Sequence, residues 1–147
     1  MHAAVASVDD PEYPGVSIVD LGLLESIEVD DGQSVSIGLV PTFSGCPALA
    51  TIAADVESAV SAVEGVASVS IKWLSTPAWD SSRITTAGRA VLNDQFTVAV
   101  QIGDRSPVCP LCGSRTVEQS LFGPSRCRSV HRCANCSETV EVVRSWA

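Results

Sequence analysis

In Ser34-Val35-Ser36-Ile37-Gly38-Leu39-Val40-Pro41-Thr42-Phe43-Ser44-Gly45-Cys46-Pro47, apolar side chains fall on alternate positions as far as Leu39, and the pattern stops at Pro41. From Pro47 the period changes, and Leu49, Ile52, Ala53, Val56, Val60 and Val63 recur at steps of three and four up to Glu64-Gly65. The first pattern is a half-buried strand and the second is one apolar face of a helix. Upstream, Leu23, Ile27 and Val29 alternate with polar neighbours before Asp30-Asp31-Gly32-Gln33. Two period-2 runs around an Asp-Gly turn predict a β-hairpin. Downstream, Ala67, Val69, Ile71 and Trp73 predict a third strand. Strand, strand, helix and strand in that order describe a small α/β sandwich in which the helix covers the hairpin.

Beyond this unit, Ser75 to Ser82 reads as a loop with Trp79 in a polar setting. A short helix capped near Thr85 or Thr86 follows, running through Leu92. Phe96, Val98, Val100 and Ile102 then alternate as a last strand before Gly103-Asp104-Arg105-Ser106-Pro107. The expected boundary lies there, giving domains at 9–103 and 104–147. Charge divides at the same point: residues 1–103 carry 3 basic and 13 acidic side chains, and residues 104–147 carry 6 and 4. The whole chain has 147 residues and a formal charge of −8, which disfavours nucleic-acid binding through a uniformly basic surface. No apolar run reaches the length of a membrane span, and the N-terminus has no basic n-region ahead of Asp9 and Asp10. The expectation is a cytoplasmic protein without membrane contact.

Four of the six cysteines form two Cys-x-x-Cys pairs, Cys109/Cys112 and Cys133/Cys136, separated by a spacing that suits a four-cysteine zinc ribbon. Strands are expected over Thr116–Phe122, Cys127–Arg132 and Thr139–Val143. Four sulfur ligands close the coordination sphere, so the predicted Zn2+ is structural; iron is the second metal that such a site accepts. Cys127 and His131 break the pair spacing and read as a strand-borne cysteine and a surface histidine. Arg126, Arg128 and Arg132 make a local basic edge, better suited to solvent or a protein contact than to nucleic acid.

Cys46 stands alone. Pro47 suits the first position of a helix, which puts Cys46 at or near its N-cap, where free amides and the helix dipole favour thiolate, and Gly45 leaves room for a ligand. A buried small hydrophobe is the alternative reading. A catalytic thiol needs a base, and outside the ribbon the only histidine is His2, in an expected mobile tail. No phosphate loop, nucleophile elbow or organic-cofactor signature accompanies it, so an enzyme is not expected. Asp20, between Val19 and Leu21 and just ahead of Gly22, either caps the next turn or faces the Cys46 loop.

Asp10-Pro11-Glu12, Ser17-Ile18-Val19-Asp20-Leu21-Gly22-Leu23 and Pro41-Thr42-Phe43-Ser44-Gly45-Cys46-Pro47-Ala48 resemble the metal-sulfur cluster biosynthesis, or iron-sulfur assembly, domain family. Ser75-Thr76-Pro77-Ala78-Trp79, Gly88-Arg89 and the ribbon with Phe122-Gly123-Pro124-Ser125-Arg126-Cys127 are similar to one branch of it, the D-type subunits of phenylacetyl-CoA oxygenase (epoxidase) systems. Phe43 replaces the family's usual tyrosine, and Ser137 replaces a glycine often found after the second knuckle. The resemblance implies an iron-sulfur assembly fold followed by a β-rich zinc ribbon, and a non-catalytic accessory protein of aerobic phenylacetate degradation. It implies that Cys46 handles a transient iron-sulfur cluster, with Asp20 as the family's other notable polar position. The implied partners are the oxygenase reductase component, other oxygenase subunits and iron-sulfur carriers. One cysteine cannot hold a cluster, so a Cys46-to-Cys46 homodimer bridge is a further expectation. The rival reading is a scaffold subunit that binds oxygenase components without cluster chemistry.

Overall fold

The hairpin forms where the alternation places it. Strand β3 (Leu24–Val29) pairs antiparallel with β4 (Ser34–Leu39), setting Ile27 opposite Ile37 and Val29 opposite Val35. At the turn the Gln33 amide donates to the Asp30 carbonyl at 3.0 Å and the Ser34 amide donates to Asp30 Oδ1 at 2.9 Å. Gln33, rather than Gly32, takes the left-handed backbone, with φ 62°. These elements belong to a computed structural model that describes residues 1–123 and 128–144. Cys127, Arg126 and the last three residues lie outside the described segments. The chain divides into two compact units, Met1–Trp79 and Asp80–Ala147.

In the first unit, helix α2 (Leu49–Ser61) connects β4 to the parallel strand β5 (Ser68–Trp73), and the sheet order is β3-β4-β5. The predicted apolar face is real: Ile52, Val56 and Val60 are buried, and α2 packs against β5. Ile37 and Leu39 are fully shielded from water. Each such side chain contributes about 1.5–3 kcal/mol on burial. The N-terminus forms regular structure as well. Helix α1 (His2–Ala6), strand β1 (Asp9–Asp10) and strand β2 (Tyr13–Ser17) precede the hairpin, with β1 and β2 paired antiparallel. Val5 is fully buried and α1 packs on α2, so His2 begins a helix instead of a mobile tail. Trp79 lies in the expected loop, but its side chain is buried and its indole N–H donates to the Leu21 carbonyl at 2.9 Å, which corrects the polar setting expected for it.

The second unit opens with a 3₁₀ turn over Ser81–Arg83, capped by Asp80, and helix α3 (Thr86–Phe96). Thr85 caps α3 by accepting from the Gly88 amide at 3.0 Å. Strand β6 (Val98–Val100) then joins β7 (Thr116–Ser120), β8 (Arg128–Cys133) and β9 (Thr139–Val143) in one sheet of order β6-β9-β8-β7. The compact units therefore meet at Trp79/Asp80, ahead of the boundary expected at Gly103. The physical reason is pairing: β6 lies parallel to β9, and buried Val98 and Ala99 share its sheet with buried Val140 and Val142. Sequence order places β6 after a helix but says nothing about which strand edge it completes.

Candidate metal centre and the Cys46 loop

Two knuckles of matching geometry hold the four ribbon sulfurs. The Cys109 amide donates to the Ser114 carbonyl at 2.8 Å, and the Cys133 amide donates to the Glu138 carbonyl at 2.9 Å, so each pair closes over the same backbone interval. Each then needs a left-handed residue directly after its second cysteine. Gly113 supplies it in the first knuckle (φ 74°) and Ser137 in the second (φ 63°). A side chain in that region costs about 1–2 kcal/mol. Part of this is regained because glycine loosens the unfolded chain. Ser137→Gly is therefore expected to stabilise the metal-loaded ribbon by about 0.5–1 kcal/mol, read as a raised urea midpoint with an unchanged slope.

All four sulfurs lie within 4.8 Å of one another. Cys109 and Cys136 are 3.8 Å apart, and Cys112 and Cys133 are 3.3 Å apart. A tetrahedral ion with metal–sulfur bonds of about 2.3 Å has sulfurs about 3.8 Å apart, so the set fits a zinc-sized cation. The charge balance agrees with this. Hydrogen bonds with Ser114 lead the interactions that bring Cys112 down to about 5. At Cys136 a backbone hydrogen bond at Glu138 pulls the thiol down, but the crowded sulfurs of Cys133, Cys112 and Cys109, together with burial, push it up to about 12. Four thiols so close cannot all ionise alone, and a divalent cation makes the full thiolate set favourable. Amides of Asn135 and Cys136 point at Cys133 Sγ, each at 3.4 Å.

His131 is not a fifth ligand. It is buried instead of lying on the surface, its Nδ1 lies 3.0 Å from Thr116 Oγ1, and burial lowers its pKa. Arg128 is drawn out of the expected basic edge by an ion pair with Glu141.

Cys46 sits in the turn that leads into α2, near the helix N-cap and ahead of it. Helix residues begin at Leu49 with Ala48 as N-cap, and the Leu49 amide donates to the Cys46 carbonyl at 3.3 Å. The thiol is half-buried, and its surroundings oppose the expected thiolate. Burial raises its pKa; a backbone hydrogen bond at Ala48 opposes the rise, and the carboxylates of Glu12 and Asp10 add to it. At neutral pH the resting group is a thiol. The space expected at Gly45 is used by the protein itself, because a Cβ there would stand 2.8 Å from the Phe43 ring. Asp20 lies half-buried in the turn after β2, where its amide and that of Val19 donate to Ser17 Oγ. Glu12 and Asp10, which sequence reasoning did not assign to this site, are the carboxylates acting on Cys46; the chain folds back through β1 and β2 to bring them there. Glu12→Gln is expected to shift the pH profile of Cys46 alkylation by iodoacetamide to lower pH, because it removes a charge that opposes thiolate.

Comparison with known proteins agrees with both halves. The profile of the iron-sulfur cluster assembly protein family matches residues 2–73, and that of the PaaD zinc beta ribbon domain matches residues 93–144. The D-type subunit of the putative 1,2-phenylacetyl-CoA epoxidase of Escherichia coli is 29% identical over 92% of this chain and 86% of its own length. The Fe-S protein maturation auxiliary factor YitW of Bacillus subtilis is 28% identical over 63% of this chain and 89% of its own. A Bacillus anthracis domain of unknown function, DUF59, superposes with a TM-score of 0.60 at 29% identity, covering 64% of this chain and 89% of that one. The β-β-α-β unit, the four-sulfur ribbon behind it and these matches together establish that the chain belongs to the iron-sulfur cluster assembly protein family, in the form that carries a PaaD-type zinc ribbon.

Proposed function

We propose that this chain is a cytoplasmic accessory factor, without catalysis of its own, that assists iron-sulfur cluster assembly or insertion for a multicomponent phenylacetyl-CoA oxygenase. The observation that carries the reading is the joining of the two matched parts in one chain, in the arrangement shared along nearly its whole length with a relative named as an epoxidase component. A second relative named as an Fe-S maturation factor supports the role of the first part.

In this reading Cys46 is the residue that touches the cargo. The thiol is protonated at rest. When iron approaches, the proton leaves to solvent and the sulfur becomes a ligand. The same Glu12 and Asp10 carboxylates that oppose a bare thiolate favour the positive charge of the metal. Asp20, in the turn held to Ser17 Oγ, is the second residue assigned to cluster handling. Remaining ligands come from a client cysteine, a small thiol or Cys46 of a second copy. The ribbon, closed around Zn2+, engages protein partners such as the oxygenase reductase component.

The test is zinc, iron and acid-labile sulfide per chain after anaerobic co-purification with oxygenase components, comparing wild type with Cys46→Ala. Zinc in both, with iron and sulfide only in wild type, is the expected result. Zinc alone in both favours the scaffold reading, which the half-buried, protonated state of Cys46 also suits.

A further inference from the structure

Among the described residues, five of the six large hydrophobic side chains left open to solvent lie between Val108 and Phe122. Val108 and Val117 are 58% and 49% exposed. The ladder sets each of them beside a cation. Val108 bridges to Arg115 across one edge of β7, where the Thr116 amide donates to the Pro107 carbonyl and the Cys109 amide to the Ser114 carbonyl. Val117 pairs with Arg132 of β8 across the other edge. Directly opposed residues share a face, as do residues two apart along one strand, so Val108, Arg115, Val117 and Arg132 project from one side of the ribbon. The opposite side is the interior one: Thr116 and Cys133, which pair with each other, are buried, and so is His131. Glu118 stands on that side, opposite His131, and bonds to Arg144. Arg115 and Arg132 are exposed, and neither has an ion pair among the described residues.

These four side chains form two parallel diagonals. One strand across and two residues along leads from Val108 to Val117 and, in the same direction, from Arg115 to Arg132. Diagonal neighbours of this kind stand about 7–8 Å apart. Two guanidinium groups at that spacing with no carboxylate between them repel each other and favour an anionic occupant. A helix presents matching rows, because positions i and i+4 lie about 5–6 Å apart and positions i+3 and i+7 run parallel beside them. We propose that this face docks a helix of a partner protein, with apolar side chains at i and i+4 on Val108 and Val117 and carboxylates at i+3 and i+7 on Arg115 and Arg132. A strand does not suit the site: residues 107–109 already close the outer edge of β7 at Arg115 and Thr116, so the occupant satisfies its own backbone, as a helix does. A second copy docked by the same face through a two-fold axis sets arginines against arginines. Nucleic acid is disfavoured by the two valines and by the chain's charge of −8. The proposal rests on the accessory-factor reading in expecting a protein partner for the ribbon, and it uses no atom of the Cys46 loop.

The probe is an alanine-based peptide, held helical by a lactam on its far face, with leucine at i and i+4 and glutamate at i+3 and i+7. It is titrated into the zinc-loaded full chain and followed by amide chemical shifts. Saturable shifts centred on Val108, Arg115, Val117 and Arg132 that weaken with added salt are expected. Glutamine in place of both glutamates, a change that leaves the protein untouched, is expected to weaken binding about tenfold or more, and Arg115→Glu is expected to do the same with zinc content unchanged. The proposal is overturned by absence of binding, by equal binding of the glutamine peptide or of a proline-broken version of the probe, by shifts centred on other residues, by tighter binding of an oligonucleotide to this face, or by self-association of the chain through it. Because Cys46→Ala abolishes cargo binding in the maturation reading but spares peptide binding here, the two can fail separately.

Discussion

Cys112→Ser is expected to release the ribbon metal and unfold the second unit, leaving the first folded. Structural zinc contributes apparent binding free energies of about 10–16 kcal/mol in small zinc-finger peptides at neutral pH, and most of that is lost when one of four thiolates is removed. The unit has a core of its own, with Ile84, Leu92, Val98, Val140 and Val142 buried, yet Cys109 and Cys133 belong to that core as well. Loss of the metal leaves their sulfurs facing one another with no cation between them. Metal content per chain and amide hydrogen exchange read the result together. Exchange should accelerate in β7, β8, β9 and also β6, because β6 is bonded to β9 and the Gln101 amide extends that ladder to the Val143 carbonyl. Protection of β6 with loss of β7–β9 would instead restore the domain boundary to residue 103. Retention of metal would refute the four-cysteine centre.

Trp79→Ala is expected to cost the first unit about 3–5 kcal/mol, a large share of the total of about 5–15 kcal/mol available to an ordinary domain. The indole fills buried space, and its N–H satisfies the Leu21 carbonyl in the turn that carries Asp20. Trp79→Phe keeps most of the volume and leaves the carbonyl without its donor, so a smaller loss of about 1–3 kcal/mol is expected. Urea unfolding followed by resolved resonances of β3–β5 separates the two variants from any change in the ribbon. Equal stability of all three proteins would show that the segment before Asp80 does not close the first unit.

The hairpin, the covering helix and the third strand were legible because their burial is regular. A period of two in Val35, Ile37 and Leu39, and of about 3.6 in Ile52, Val56 and Val60, records which face meets the core. The ribbon was legible for a chemical reason, since tetrahedral sulfur coordination demands paired cysteines in tight turns. The left-handed backbone of Ser137, matching that of Gly113 in the first knuckle, came from the structure. Trp79 and α1 were missed because a single large residue in a polar loop, or one buried valine in a five-residue helix, leaves no period to detect.

The state of Cys46 was misread for a different reason. Its local sequence, Gly45-Cys46-Pro47, suggests a helix N-terminus and a thiolate, whereas its titration follows from burial and from Glu12 and Asp10, which are distant in sequence. Local spacing thus determined the β-β-α-β order and the clustering of the four ribbon cysteines. Tertiary structure alone decided that β6 completes the ribbon sheet and that the carboxylates of Glu12 and Asp10 act on the Cys46 thiol. Strand partnership and electrostatic environment are long-range quantities, set by which surfaces the folded chain brings together, and no local period in the sequence encodes them.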